Sequence, residues 1–148
     1  MTFARLSEHN SIKMKRKIAA PIAAFSLAFG AFFMQSAMPS DPIMTKESGT
    51  YIVNTTELGK DVVGYRATTP LKIHIKGGKV LKVEALKNME TPKYFAMIKK
   101  GLLEAWNGKT VKQASTMKVD AVTGATLSSD AVIKNVQLGL DYYNRNKK

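Results

Sequence analysis

Leu71-Lys72-Ile73-His74-Ile75-Lys76, then Gly77-Gly78, then Lys79-Val80-Leu81-Lys82-Val83-Glu84-Ala85-Leu86 is the clearest local pattern in this chain of 148 residues. Apolar and polar side chains alternate through its first half, the period of a strand with one buried and one wet face. Gly77-Gly78 supplies two residues that tolerate positive φ, as the tightest hairpin turns require, and a second strand pattern follows. The expected hairpin buries Leu71, Ile73, Ile75, Leu81 and Val83 and turns its lysines to water. His74 falls on the wet face, where a solvated strand histidine is favoured over a catalytic one.

Upstream, Thr50-Tyr51-Ile52-Val53 and Val62-Val63-Gly64-Tyr65-Arg66-Ala67 are β-branched and aromatic enough to be strands. Residues 38–49, with Pro39, Asp41, Pro42 and Ser48, read as a linker. Downstream, Thr91 is placed at the N-cap and Pro92 at the first position of a helix. Phe95, Ile98, Leu102 and Ala105 give that helix its buried stripe, and Trp106 reads as core or rim packing. After Asn107-Gly108, residues 109–119 hold too few apolar positions for an assignment. A last helix is expected from about Asp130 to Asn144, with Val132, Ile133, Val136, Leu140 and Tyr143 inside. Ser128 or Ser129 is expected to cap it, and Asp130 with Lys134 to form an i,i+4 pair. Strands followed by helices imply an α+β fold, a small antiparallel sheet with helices packed on it, in one domain over residues 50–148.

Composition narrows the chemistry. Without cysteine there is no disulfide, no thiolate metal site and no thiol nucleophile. His9 and His74 are the only histidines, too few for haem or an all-protein transition-metal site, so no metal site is expected. Redox chemistry would have to come from a bound organic cofactor.

Residues 18–34 are apolar, small or Pro throughout and follow the basic cluster Lys13, Lys15, Arg16 and Lys17. A positive segment leading into an apolar run is the layout of a signal peptide or an N-terminal membrane anchor, assigned here to residues 1–37. Cleavage after Ala37 and retention as an anchor are both open, as is a translation start at Met14. The positive side stays in the cytoplasm, so the rest of the chain is expected to be exported, to the periplasm or the extracytoplasmic face of the membrane.

The formal charge of +12 invites a nucleic-acid reading. Residues 1–37 hold five basic side chains and one acidic, which leaves +8 on the 111 that follow. The lysines there are scattered, and Arg66 and Arg145 are the only arginines, so the interleaving of arginines and aromatics that nucleic acid wants is missing. No nucleic-acid partner is expected; a basic surface suited to anionic partners or lipid is the simpler account.

The chemistry concentrates in Asp120-Ala121-Val122-Thr123-Gly124-Ala125-Thr126-Leu127-Ser128-Ser129, a loop of small and hydroxyl side chains entering a helix. Gly124 and Ala125 let another molecule approach the backbone, and the free N–H groups of a helix start favour an anion such as phosphate. Read from the residues alone, this is weak evidence, because a Ser/Thr-rich entry to a helix usually means only capping.

Asp-x-x-Thr-Gly-Ala-Thr resembles the flavinylation motif, Asp-x-x-Ser/Thr-Gly-Ala-Thr, of the FMN-binding domain family. That family includes the C subunit of sodium-pumping NADH:quinone reductase and the G subunit of the Rnf complex. The hairpin from Ile73 to Val83 and Glu90-Thr91-Pro92 are similar to further elements of the family, with Lys93 standing where it often has Gly. The resemblance spans roughly residues 62–142. It implies that a separate flavin transferase moves FMN from FAD onto Thr126 as a phosphoester, with Asp120, Thr123, Gly124 and Ala125 as recognition and cradle residues. Leu127, Ser128, Glu90 and Thr91 complete the implied cofactor-binding set, and Tyr94, Phe95 or Trp106 is available to cover the isoalloxazine ring. The implied function is an extracytoplasmic flavoprotein that passes electrons between protein donors and acceptors. The alternatives are an FMN-containing subunit of an extracytoplasmic reductase acting on a small acceptor, and a flavin-free binding module of the same fold.

Overall fold

A computed structural model describes residues 41–148. The apolar run at 18–34 and its basic flank, expected to act as signal or anchor, lie outside the described residues. Among the described residues no helix is long and apolar enough to cross a membrane.

Four strands form one antiparallel sheet in sequence order: β1 (Met44–Glu47), β2 (Thr50–Asn54), β3 (Leu71–Lys76) and β4 (Lys79–Ala85). Three helices follow, α1 (Pro92–Gly101), α2 (Val111–Thr116) and α3 (Thr126–Asn146), with a 3-10 turn at Leu103–Trp106 between the first two. The architecture is α+β, as the order of strand and helix patterns predicts.

The Gly77-Gly78 hairpin is present, with both glycines at positive φ. Its register departs from simple alternation between His74 and Ile75. His74 pairs with Lys82, but Ile75 pairs with Val80, which leaves Leu81 as the extra residue of a β-bulge. The bulge turns Val80 and Val83 to the core, Val80 fully buried, and pushes Leu81 out to 49% exposure. Leu81, expected inside, is therefore a surface residue, and Val80 takes its place. Val80→Ala is expected to cost about 2 kcal/mol through lost apolar burial and the cavity left behind, whereas Leu81→Lys should stay within about 0.5 kcal/mol. Urea unfolding of the two variants distinguishes this register from strict alternation, which predicts the reverse order.

Two further expectations give way to tertiary context. Residues 44–47, assigned to the linker 38–49, form the edge strand β1, paired Met44 to Val53 through Glu47 to Thr50. It is short and ends in Lys46 and Glu47, the charged habit of an edge strand, and this masks it in a polar, proline-containing stretch. Residues 62–67, expected as a strand, form a loop with one isolated β-bridge, between Val63 and Thr68. Their β-formers do not make a strand because Val63 and Tyr65 face outward at 61% and 68% exposure, with no sheet face to cover them.

The core lies between one sheet face and the helices. Val53, Ile73 and Ile75 from the strands meet Val132, Val136 and Leu140 of α3 and Ile98 of α1. Ile133, expected inside, is only partly buried. Trp106 is 2% exposed and belongs to this core. The segment after it is held to the start of β4 by hydrogen bonds from the Gly108 N–H to Val80 O (2.8 Å) and from the Val80 N–H to Lys109 O (2.9 Å). α2 fills the stretch left unassigned: the Thr110 hydroxyl accepts the Gln113 N–H, and the Gln113 side chain returns to the Thr110 N–H. On the outer sheet face His74 is half-buried rather than solvated. Burial first, then the nearby Lys82, hold its pKa below the usual histidine value despite Glu84 at 3.4 Å.

Candidate functional site

α3 begins four residues earlier than its apolar stripe predicts, at Thr126, with Ala125 at the N-cap. Ser128 and Ser129 are thus inside the first turn rather than at the cap. The Ser129 hydroxyl accepts the Val122 N–H at 3.0 Å and folds the preceding loop against the helix. Thr123 and Gly124 form a turn closed by the Ala125 N–H on Val122 O at 2.9 Å, with Gly124 at φ 80°. No side chain caps α3, and no acidic residue stands in its first turn. The first-turn N–H groups of Thr126, Leu127 and Ser128 have no partner within the helix, and the positive end of a 21-residue helix lies there. The expected Asp130–Lys134 pair does not form within 4.0 Å; the ion pairs among the described residues are those of Glu84 with His74 and Lys82.

A cavity of about 480 Å³ opens onto this helix start, lined by Gly124, Ala125, Thr126, Leu127 and Ser128 on one side and by Tyr65, Glu90, Thr91 and Tyr94 on the other. Seven of the nine site residues expected from sequence therefore share one concavity. Asp120 and Thr123 do not line it; both are exposed on the approach to the turn.

Glu90 holds the two sides together. It is 7% exposed, and its Oε1 accepts the backbone N–H groups of Arg66 (3.0 Å) and Ala67 (3.3 Å). Its Oε2 accepts the Ser128 hydroxyl at 2.5 Å. Burial, the largest single influence, pushes the carboxyl pKa up, but the Ser128 hydroxyl and the N–H groups of residues 65–67 outweigh it and hold the group below the usual glutamate value. The carboxylate oxygens are thus occupied by protein donors, and Glu90 shapes the site rather than presenting a free charge to it. Gly64 allows this approach: a Cβ there would stand 2.7 Å from Glu90 Oε1 and 3.2 Å from Ser128 Cα. Thr91 occupies the N-cap of α1 with Pro92 at the first position, as expected, but its side chain makes no capping bond.

Of the three aromatics considered for a flat ligand, only Tyr94 lines the cavity, 44% exposed on α1. Trp106 is sealed in the core, and Phe95 is buried on the far face of α1, where it lines a separate cavity of about 310 Å³. Tyr65 is the residue that sequence reasoning missed. Its loop reads as a strand, and no local signal shows that the Glu90 carboxylate bends residues 64–67 over the helix start.

A cavity of this volume is within the ordinary range for a cofactor-sized ligand. Its lining suits FMN: unpaired helix N–H groups and a hydroxyl for a phosphate, two tyrosine rings for a flat apolar ring system, and no free carboxylate to repel the anion. Among the described residues no group of acidic and histidine side chains could hold a metal ion. A search of curated proteins finds no match to the chain. The family model of the FMN-binding domain matches residues 64–141, from the glycine beside Glu90 to the residue after Leu140, and so contains every residue lining the cavity. With more than half of its length matched, the chain belongs to the FMN-binding domain family, and FMN is its cofactor.

Proposed function

We propose that the chain carries FMN covalently, as a phosphoester on Thr126, and serves as an exported electron carrier between protein partners. The observation that carries this reading is the position of Thr126: the first residue of α3, exposed, on the wall of the cavity and within reach of the unpaired N–H groups of its own turn. A phosphate esterified to that hydroxyl falls in the field of the helix start, which favours its negative charge. A separate flavin transferase supplies the group. The threonine oxygen bonds to the FMN phosphorus of FAD, the bond between that phosphorus and AMP breaks, AMP departs, and the hydroxyl proton is lost.

The bound FMN supplies the electron chemistry. The residues of this chain hold and orient it: Tyr65 and Tyr94 offer apolar faces, the turn at Thr123-Gly124 leaves room at the backbone, and Glu90 keeps the two walls at a fixed separation. Covalent attachment keeps the site filled outside the cytoplasm, where lost flavin is not replaced. The basic cluster and apolar run at the N-terminus support export to the extracytoplasmic side.

Coexpression of the full chain with a flavin transferase tests the reading. The expected product is a band fluorescent after denaturing electrophoresis and a mass increase equal to FMN less one water. A chain left unlabelled under conditions that label another member of the family would refute covalent attachment.

A further inference from the structure

Seven large apolar side chains are exposed among the described residues: Val63, Tyr65, Leu81, Met89, Tyr94, Met97 and Leu127. Scattered exposed apolar residues need no explanation, but most of these fall in or beside the segments that line the cavity. Tyr65, Tyr94 and Leu127 line the cavity, Val63 and Met89 adjoin its lining segments in sequence, and Met97 lies one turn along α1 from Tyr94. Only Leu81, displaced by the bulge, stands elsewhere. A flavin in the cavity accounts for the three lining residues and leaves Met89 and Met97, at 70% and 44% exposure, without a role.

The charge on α1 itself is one-sided. α1 contains Lys93, Lys99 and Lys100 and no acidic residue. Lys93, Met97 and Lys100, at i, i+4 and i+7, form its outward stripe, opposite buried Phe95 and Ile98. The Lys93 ammonium stands 6.0 Å from the centre of the Tyr94 ring, so the stripe runs up to the wall of the cavity. Between β4 and the end of α1 the one acidic residue is Glu90, whose carboxylate faces inward onto Arg66, Ala67 and Ser128; the next, exposed Glu104, follows in the 3-10 turn. An adaptable apolar centre flanked by unpaired lysines is complementary to an apolar patch ringed by carboxylates. Along α1 the outward stripe has one methionine between two lysines, narrower than the apolar face of a membrane-surface helix.

We propose that the outward stripe of α1, with Met89, is the docking surface for an acidic electron-transfer protein that exchanges electrons with the flavin in the adjoining cavity. The proposal rests on the flavin reading above. In the step, one electron leaves the reduced partner and enters the FMN of this chain, and no bond forms or breaks.

An acidic flavodoxin, chemically reduced and mixed with the FMN-loaded full chain in stopped flow, serves as the probe. The second-order rate is expected to fall with ionic strength and, at low salt, to drop at least about tenfold in K93E/K100E. K72E/K76E makes the same change of net charge on β3 and should stay within about threefold of wild type. Equal slowing by both double variants would mean that net charge alone steers encounter, and no slowing by K93E/K100E would remove the surface outright; either result overturns the proposal. Binding is read separately from flavin chemistry by titrating the flavin-free full chain with flavodoxin and following backbone amide shifts. Shifts centred on Met89 and on residues 93–100 support the surface even if the chain takes no flavin, and shifts confined elsewhere reject it. Phosphatidylglycerol vesicles that bind wild type but not K93E/K100E, with flavodoxin showing neither effect, would assign the stripe to lipid and also overturn the proposal.

Discussion

Thr126→Val is expected to abolish flavin attachment completely while leaving the fold intact. Valine reproduces the shape of threonine, and position 126 is exposed at the first residue of α3, so the stability change should stay within about 0.5 kcal/mol. The change removes the oxygen that the proposed ester would use. Thr126→Ser restores an oxygen at the same place and should be labelled, more slowly if the lost methyl loosens the rotamer. Coexpression with the transferase, followed by intact-mass measurement, reads all three proteins. Labelling of the valine variant at wild-type level would move the acceptor elsewhere, with Thr123 the first position to examine, since it stands exposed in the turn just before the helix.

The largest loss of stability at the site is expected from Glu90→Ala. The substitution leaves the Arg66 and Ala67 N–H groups and the Ser128 hydroxyl without their acceptor, in a place 7% exposed. Charge-assisted hydrogen bonds and buried orphan donors of this kind set the cost at about 3 kcal/mol, which for a domain of this size lowers Tm by roughly 10 °C or more. The same residue makes stability depend on acid. Its folded pKa lies below the unfolded value, so its contribution is fully present above the unfolded glutamate range and is lost as the pH falls through the folded pKa. Denaturant unfolding should therefore show wild type losing stability toward low pH more steeply than Glu90→Ala, with the two curves converging in acid. Parallel curves would mean that the carboxylate is not the group that ties the walls together. Because Glu90 also keeps residues 64–67 over the helix start, the variant should accept flavin poorly even where it remains folded.

These two residues illustrate how unevenly the site was legible. Thr126 stands out in the chain through the resemblance of Asp120 to Thr126 to the flavinylation motif, a contiguous stretch that is read without any tertiary contact. Glu90 and Tyr65 are different. Their places at the cavity depend on contacts 24 and 38 residues apart, between Arg66, Glu90 and Ser128; the resemblance named Glu90, but no local pattern encodes such a meeting. The α2 capping box shows an intermediate case. Thr110 and Gln113 carry a recognisable start signal, but six residues with two buried positions are too short for periodicity to register.

By itself the sequence determined the Gly-Gly hairpin, the two amphipathic helices and the α+β class, because each depends on interactions within a turn or two of chain. Only the tertiary structure decided that Val80 rather than Leu81 enters the core, that 44–47 is a strand and 62–67 is not, and that Trp106 is sealed away while Tyr65 and Tyr94 face the cavity. Those outcomes are set by which neighbours remove a side chain from water. Burial is a property of the assembled surface, and residues far apart in the chain supply it.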